Sequence, residues 1–335
     1  MKLFAYIMLP LLCGAACTYA QDNYIKPYKK HQIILLTEND AYFNPYIDRN
    51  YSAGTRIAYS SKEWDFKSDD APDYLRWLGK ISLYPHQNVT KFTFAVSQEI
   101  YTPETKSNIP PPDEYPYGGF LYLSAGVVQR RTNTEERIWI EAGVTGPASF
   151  AQSMQDLVHN NVNTSNNSAL SGWDYQIKGE FVFNINYQFT GKVRLLDTKW
   201  FDMELLPAMA LALGNGRTHL DGSAKIKMGY NTDIDFGVSK VNFAADSPSV
   251  YSDEFSFYIY AGVGGRIVAR NMFIQGNSWE SPRLSVNPFV YYLEAGLAIA
   301  YKGCRAVYGI TYKSKEFTSQ KSSDTYGSIS VSFAF

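Results

Sequence analysis

The chain closes on Ser328-Ile329-Ser330-Val331-Ser332-Phe333-Ala334-Phe335. Every odd position there is large and apolar, and every even one is serine or alanine. Successive side chains of an extended chain point to opposite faces. The segment is therefore a strand with one apolar face and one small, polar face. Such a strand lies between an apolar medium and a polar one, and the fold depends on which medium is outside.

The same period runs through the interior. Phe181, Phe183, Ile185, Tyr187 and Phe189 interleave with Val182, Asn184, Asn186 and Gln188. Phe92, Phe94 and Val96 do the same, as do Phe255, Phe257, Ile259, Ala261 and Val263. A soluble sandwich turns its apolar faces inward. Two features predict the reverse. Segments such as 173–189, 199–213 and 254–270 outrun the roughly 5–6 residues of a soluble strand, whereas about 9–11 cross a membrane. A last strand ending on Phe335, with Phe333 two before it, is also similar to the C-terminal signature of bacterial outer-membrane barrels. The expected fold is all-β: a transmembrane antiparallel β-barrel of the bacterial outer membrane.

Candidate strands lie at 31–38, 52–60, 90–100, 118–130, 135–145, 173–189, 199–213, 218–231, 254–270, 286–301, 303–316 and 325–335. That is about twelve, an even number as single-chain bacterial barrels require. Glu141, Lys178, Glu180, Glu204 and Glu294 fall within them and are expected to pair across the lumen. The 26 tyrosines are expected mainly in an aromatic girdle at the membrane interfaces.

Composition closes other routes. With 31 basic and 32 acidic residues the net charge is −1, which argues against nucleic acid as a partner. An apolar content of 45% excludes a disordered chain. No apolar run beyond the N-terminus is long enough for a membrane helix. The N-terminus itself reads as an export signal: Lys2, an apolar stretch Phe4–Ala16, then Thr18-Tyr19-Ala20, with cleavage expected before Gln21. A lipoprotein alternative rests on Gly14-Ala15-Ala16-Cys17. Residues 21–335 are then one barrel domain whose single Cys304 forms no internal disulfide.

Both termini of such a barrel are periplasmic, so connections after odd strands are extracellular. Segments 39–51, 101–117 and 146–172 carry the conspicuous polar clusters, and parity brings them to one rim. A histidine, carboxylates and amides converging there suit hydrolysis. By the same parity, 61–89 and 232–253 are long periplasmic connections where turns are normally short. In the first, Pro72 to Leu78 is expected to form a short amphipathic helix capping that end.

These clusters carry a resemblance. Asn39-Asp40, Asp48-Arg49 with Tyr51-Ser52-Ala53-Gly54, Tyr101-Thr102-Pro103 and Pro116-Tyr117-Gly118-Gly119 resemble, in order, the outer-membrane lipid A 3′-O-deacylase family (LpxR-type). Gly143 to Pro147, Gln155, His159 and Gly172-Trp173-Asp174 continue the likeness. It implies a twelve-stranded barrel that hydrolyses the 3′-linked acyloxyacyl ester of lipid A, with calcium as cofactor. His159 matches the catalytic histidine, Asn39 and Asp40 the active-site pair, and Ser52 a hydroxyl residue there. Asp40 and Asn39 are the implied calcium ligands. The implied partners are lipopolysaccharide and outer-membrane lipids, and a monomer is expected. One departure stands: where the family has an acid a few positions after the histidine, 160–173 contain no Asp or Glu.

The residues also have plainer readings. Asn39-Asp40 suits a strand end with turn chemistry. His159 suits a short loop helix, 151–160, and Gly118-Gly119 a close backbone approach. Two other functions compete: another outer-membrane esterase such as a phospholipase, and a structural barrel or small pore without catalysis.

Overall fold

The computed structural model describes residues 25–44, 49–65, 68, 71–83, 89–161, 171–238, 240–241 and 250–335; the side chains of 159–161 and 171 lie outside this description, as does the signal segment. Among the described residues twelve long antiparallel strands close on themselves. They are β1 (Gln32–Asn39), β2 (Asn50–Ser60), β3 (Val89–Thr102), β4 (Gly118–Arg130), β5 (Thr134–Thr145), β6 (Phe181–Gly191), β7 (Asp202–Gly214), β8 (Arg217–Tyr230), β9 (Ser256–Asn271), β10 (Phe289–Tyr301), β11 (Cys304–Lys313) and β12 (Asp324–Ala334). Each pairs with its neighbours in sequence, and β12 returns to β1 with Gln32 opposite Ala334. Closure leaves no unpaired edge, which a membrane-spanning sheet requires. Three short helices lie in the connections: α1 (Asp73–Leu78), α2 (Ala151–Asn161) and α3 (Met272–Gln275).

The alternation resolves as apolar outside. Ile33, Leu35, Ile57, Phe94, Val96, Leu123, Ile140, Phe183, Ile185, Ile259, Leu293, Leu297 and Phe333 are exposed on the outer wall. Their even-numbered or odd-numbered neighbours are buried in the lumen, where the charges sit in pairs: Lys227 with Glu204 and Asp235, Lys225 and Lys240 with Glu294, Arg217 with Glu99. Paired and hydrogen-bonded, they occupy a space that a lone buried charge could not.

Three expectations change. The strand expected at 173–189 begins at Phe181, because Ser171–Tyr175 form a 3-10 turn. Lys178 and Glu180 therefore lie outside the lumen strands; Lys178 meets Glu280 in the loops, and Glu180 holds Asn215, Asn277 and the Ser278 amide. The tyrosines do not all lie in a girdle. Tyr51, Tyr101, Tyr115, Tyr122, Tyr258, Tyr260, Tyr292 and Tyr326 are buried inside, and the hydroxyls of Tyr51, Tyr101, Tyr115, Tyr122, Tyr258 and Tyr292 donate to carboxylates there.

The two long periplasmic connections acquire a physical account. From 232 to 253 the described residues enter the lumen: Ile234, Asp235, Phe236, Val241 and Val250 are buried, Tyr258 and Arg305 hold Asp235, and Gln32 is bonded to Val250 in both directions. At the other mouth Phe273 of α3 stacks on Tyr101 at 4.5 Å. A cavity of about 80 Å³ remains beside the first filling, lined by its Phe236, Val238 and Lys240 and by Asp221, Tyr292 and Glu294 of the wall. In the connection 61–89, Glu63 reaches Arg130 at the lumen mouth, whereas residues 71–83, which carry α1, pack outside the barrel.

Candidate functional site

Alternation puts Asn39, Ala53, Ile100 and Gly119 on the outward face, because Glu38, Glu99 and Phe120 beside them are buried inside. The register sets the four in one row across β1 to β4, close to the extracellular end. Above Gly119 the chain leaves β5 through a 3-10 turn, Gly146–Ser149, and enters α2. Gly146 at φ +69° and Phe150 at φ +55° make this bend. The bend brings α2 down on the outer wall against β4 and β3. Ala151, Ile100, Tyr117 and Trp173 form a buried cluster with Ala53 against it.

The helix buries one face. Ala151 and Gln155 are covered, and Gln155 accepts a hydrogen bond from the Trp173 indole at 3.1 Å. Residues one turn apart share a face, so the helix backbone sets position 159 after 151 and 155 on the wall side. The His159 side chain itself lies outside the described residues. Met154, Leu157 and Val158 of the same helix are exposed, with Phe150 at the helix entry.

The strand residues assemble beside it. Asn39 ends β1, and its side-chain oxygen accepts the Ala41 amide at 2.7 Å, capping the 3-10 turn Asp40–Tyr42. Asp40 is buried and accepts the Arg49 amide at 2.8 Å, which ties the start of the first extracellular connection to its end. Ser52 sits at a bulge: Tyr51 faces Tyr101 and Ala53 faces Ile100, leaving Ser52 unmatched in β3. A bulge re-aims its side chain, and here both Tyr51 and Ser52 become buried, Tyr51 into the lumen on Glu38. The Ser52 hydroxyl lies 2.6 Å from that of Thr102.

Lys106 completes this group and carried no signal in the sequence: it is a loop lysine among others, four residues past Thr102. Its ammonium donates to the Thr102 hydroxyl at 2.9 Å and to the Pro103 carbonyl at 3.1 Å. Nearby, Arg49 pairs with Glu104 at 2.7 Å. Glu114 fastens the same loop, accepting the Thr105 amide and hydroxyl and the Lys321 ammonium. Burial pushes the Glu114 carboxyl up, but these donors outweigh it and hold it below its ordinary value.

Asn39 and Ser52 are thus brought to one corner of the outer wall, Asp40 beside Asn39 lines a small cavity with Tyr51, Asp324 and Tyr326 at the barrel mouth, and position 159 is carried by the helix lying on that wall. His31, by contrast, stacks between Tyr59 and Phe335 at the periplasmic end, and His219 is buried in the lumen. Among the described residues no three His, Cys, Asp or Glu converge as a metal cage. Asp40 offers a carboxylate and Asn39 an amide oxygen, the hard ligands calcium takes.

The barrel is similar to solved structures. The structure is similar to that of LpxR from Salmonella typhimurium, with a TM-score of 0.73 at 17% identity, over 91% of this chain and 100% of that one. The β domain of the Bordetella autotransporter BrkA also matches, at 9% identity and a TM-score of 0.41 over 91% of this chain and 98% of that one. No curated protein matches the sequence. The family profile described as "Outer membrane protein LpxR" matches residues 3–335. With nearly the whole sequence covered, and with the barrel and outer-wall corner in place, the chain belongs to the LpxR family, the outer-membrane lipid A 3′-O-deacylases.

Proposed function

We propose that the deacylation is carried out in the crevice between α2 and the outer wall, with His159 as general base. The observation that carries this reading is the position of α2. A helix that starts over β4 and contacts β3 spans roughly 12 Å from 151 to 159 at 1.5 Å per residue. Strands lie about 4.8 Å apart, so that length spans two spacings and reaches Ser52 on β2, with Asn39 one strand further on, at β1. The crevice opens sideways, towards lipid, and the exposed Phe150, Met154, Leu157 and Val158 continue the apolar outer wall. Lipid A in the outer leaflet then keeps its acyl chains in the membrane while its ester enters the crevice.

Neutral imidazole at position 159 takes a proton from water as the oxygen attacks the 3′ ester carbonyl. The tetrahedral oxyanion needs donors. The Ser52–Thr102 hydroxyl pair, with the Lys106 ammonium behind it, supplies them from the strand side. When the intermediate collapses, the imidazolium returns its proton to the sugar oxygen, releasing the fatty acid and a free 3′ hydroxyl. Asp40, with Asn39, would hold calcium, which when bound would polarise the ester carbonyl. The closed sheet needs no second copy to cover an edge, which supports a monomer.

The test is lipid A mass spectrometry from a Gram-negative host expressing the chain. Wild type is expected to remove a mass equal to the 3′-acyloxyacyl group, and His159→Ala to leave it in place. Unchanged lipid A from membrane-inserted wild type, with calcium present, would refute the assignment.

A further inference from the structure

Residues 71–83 lie against the outside of the barrel at its periplasmic end, and their partners establish the side. The Leu78 carbonyl accepts from the Gln129 side chain at 3.1 Å, the Leu83 amide donates to Glu136 at 2.8 Å, and Ser82 bonds the same carboxylate. Gln129 and Glu136 face one another across β4 and β5. Their neighbours Arg130 and Glu135 point inward, where both meet Tyr251 of the lumen filling. Gln129 and Glu136 therefore point outward, below Leu123 and Ile140 of the exposed apolar belt.

Helix α1 is pinned to this wall by Leu75, which is fully buried. Its other side exposes Tyr74 at 56% and Trp77 at 64%, and Leu83 beyond it is exposed at 73%. Tyr74, Trp77 and the exposed Lys80 recur at a spacing of three along one stripe. The same connection and two other periplasmic ones bear related pairs: Lys62 lies over Trp64 at 4.2 Å, and elsewhere Lys199 over Trp200 at 4.9 Å and Lys302 over Tyr301 at 5.2 Å.

We propose that residues 72–83 form an in-plane membrane anchor, seated in the phospholipid leaflet that faces the periplasm. The occupant follows from continuity. The stripe stands on the lipid-facing wall, one step below the apolar belt, and prolongs a rim of lysine–aromatic pairs. Tyrosine and tryptophan settle at the headgroup level because each joins an apolar ring to one polar group. Lys80 lays its stem along them and reaches the headgroup phosphates. The segment thus works outside the barrel as a collar on the inner leaflet, rather than as a cap over the lumen.

The test reconstitutes the full protein in phosphatidylethanolamine/phosphatidylglycerol vesicles containing phospholipid brominated either near the carbonyl end or at mid-chain. Subtracting the emission of Trp77→Phe isolates Trp77. The expected result is loss of that emission with the shallow bromines, a smaller loss with mid-chain ones, and little quenching by aqueous acrylamide. Acrylamide quenching without a bromine effect would place Trp77 in water. Insensitivity to both would place it in a protein contact. Either result overturns the proposal. Leu83→Trp in the Trp77→Phe background reads the same depth from a second position.

Discussion

Gly119 on β4 lies so close under Ala151, the first residue of α2, that a Cβ added to it would stand 2.2 Å from the alanine Cβ and 2.2 Å from Ser149 Oγ. The contact sets the height of the helix above the wall, and hence the width of the crevice.

A Gly119→Val chain is expected to close its barrel normally, since valine suits an outward strand position, but to lift α2. A displacement of about 1 Å in a positioning element costs on the order of 10²-fold in rate. Deacylation should fall by that order while the heat-dependent shift in gel mobility stays that of wild type. Full activity would show that helix height does not matter.

Lys106 is the cation closest to the Ser52–Thr102 hydroxyls. Removing one donor to a developing oxyanion costs about 10²–10³ in kcat. Lys106→Met is expected to lose that much with little change in KM, and Lys106→Arg to recover part of it. A rise in KM at constant kcat would assign the lysine to ground-state binding instead.

The loop that carries Lys106 is fastened at Glu114, whose carboxyl is held below its ordinary value by Thr105 and Lys321. A depressed carboxyl contributes stability that is complete above its unfolded pKa of about 4.3. That stability is lost as pH falls through the lower folded value. Amide exchange in 103–117 should therefore quicken selectively between roughly pH 4.3 and the lower folded value. Glu114→Gln should abolish that pH step and leave the loop looser at neutral pH.

Inside the lumen, Arg217 bridges Glu99 and the Tyr101 hydroxyl with all three buried. Arg217→Met would leave the Glu99 charge without its partner. Breaking one side of a buried pair costs about 3–5 kcal/mol, measurable as a lower urea midpoint for the refolded barrel. The same lumen, filled by 234–238 and 240–241, should show no channel steps in a planar bilayer. Replacing those residues with a glycine–serine linker should produce them.

Much of this was legible in the residues because a membrane strand is a local object. Ile329, Val331, Phe333 and Phe335 announce an outward face whatever lies beside them, and closure in sequence order follows from short connections. Tyr51 shows where the local reading ends. Its parity is changed by a bulge, and a bulge appears only when β2 is laid against β3. The lumen tyrosines escape for a related reason. A Tyr beside polar residues reads as interfacial until the opposite wall supplies the carboxylate that its hydroxyl bonds.

The site divides along the same line. Asn39, Asp40, Ser52 and His159 stood out through an ordered set of short motifs, which sequence alone preserves. Thr102 and Lys106 joined them only through contacts across β2 and β3 and within the third-strand loop. The two long periplasmic connections had no reading at all beyond a short helix. One filled the lumen and the other gripped the outer wall, and both outcomes rest on which strand faces their side chains meet. The sequence by itself determined the strands, their order and the side of the membrane on which the motifs gather, because alternation and parity are properties of the chain. Only the tertiary structure decided that α2 lies down on the outer wall, because that depends on how closely it can approach Gly119.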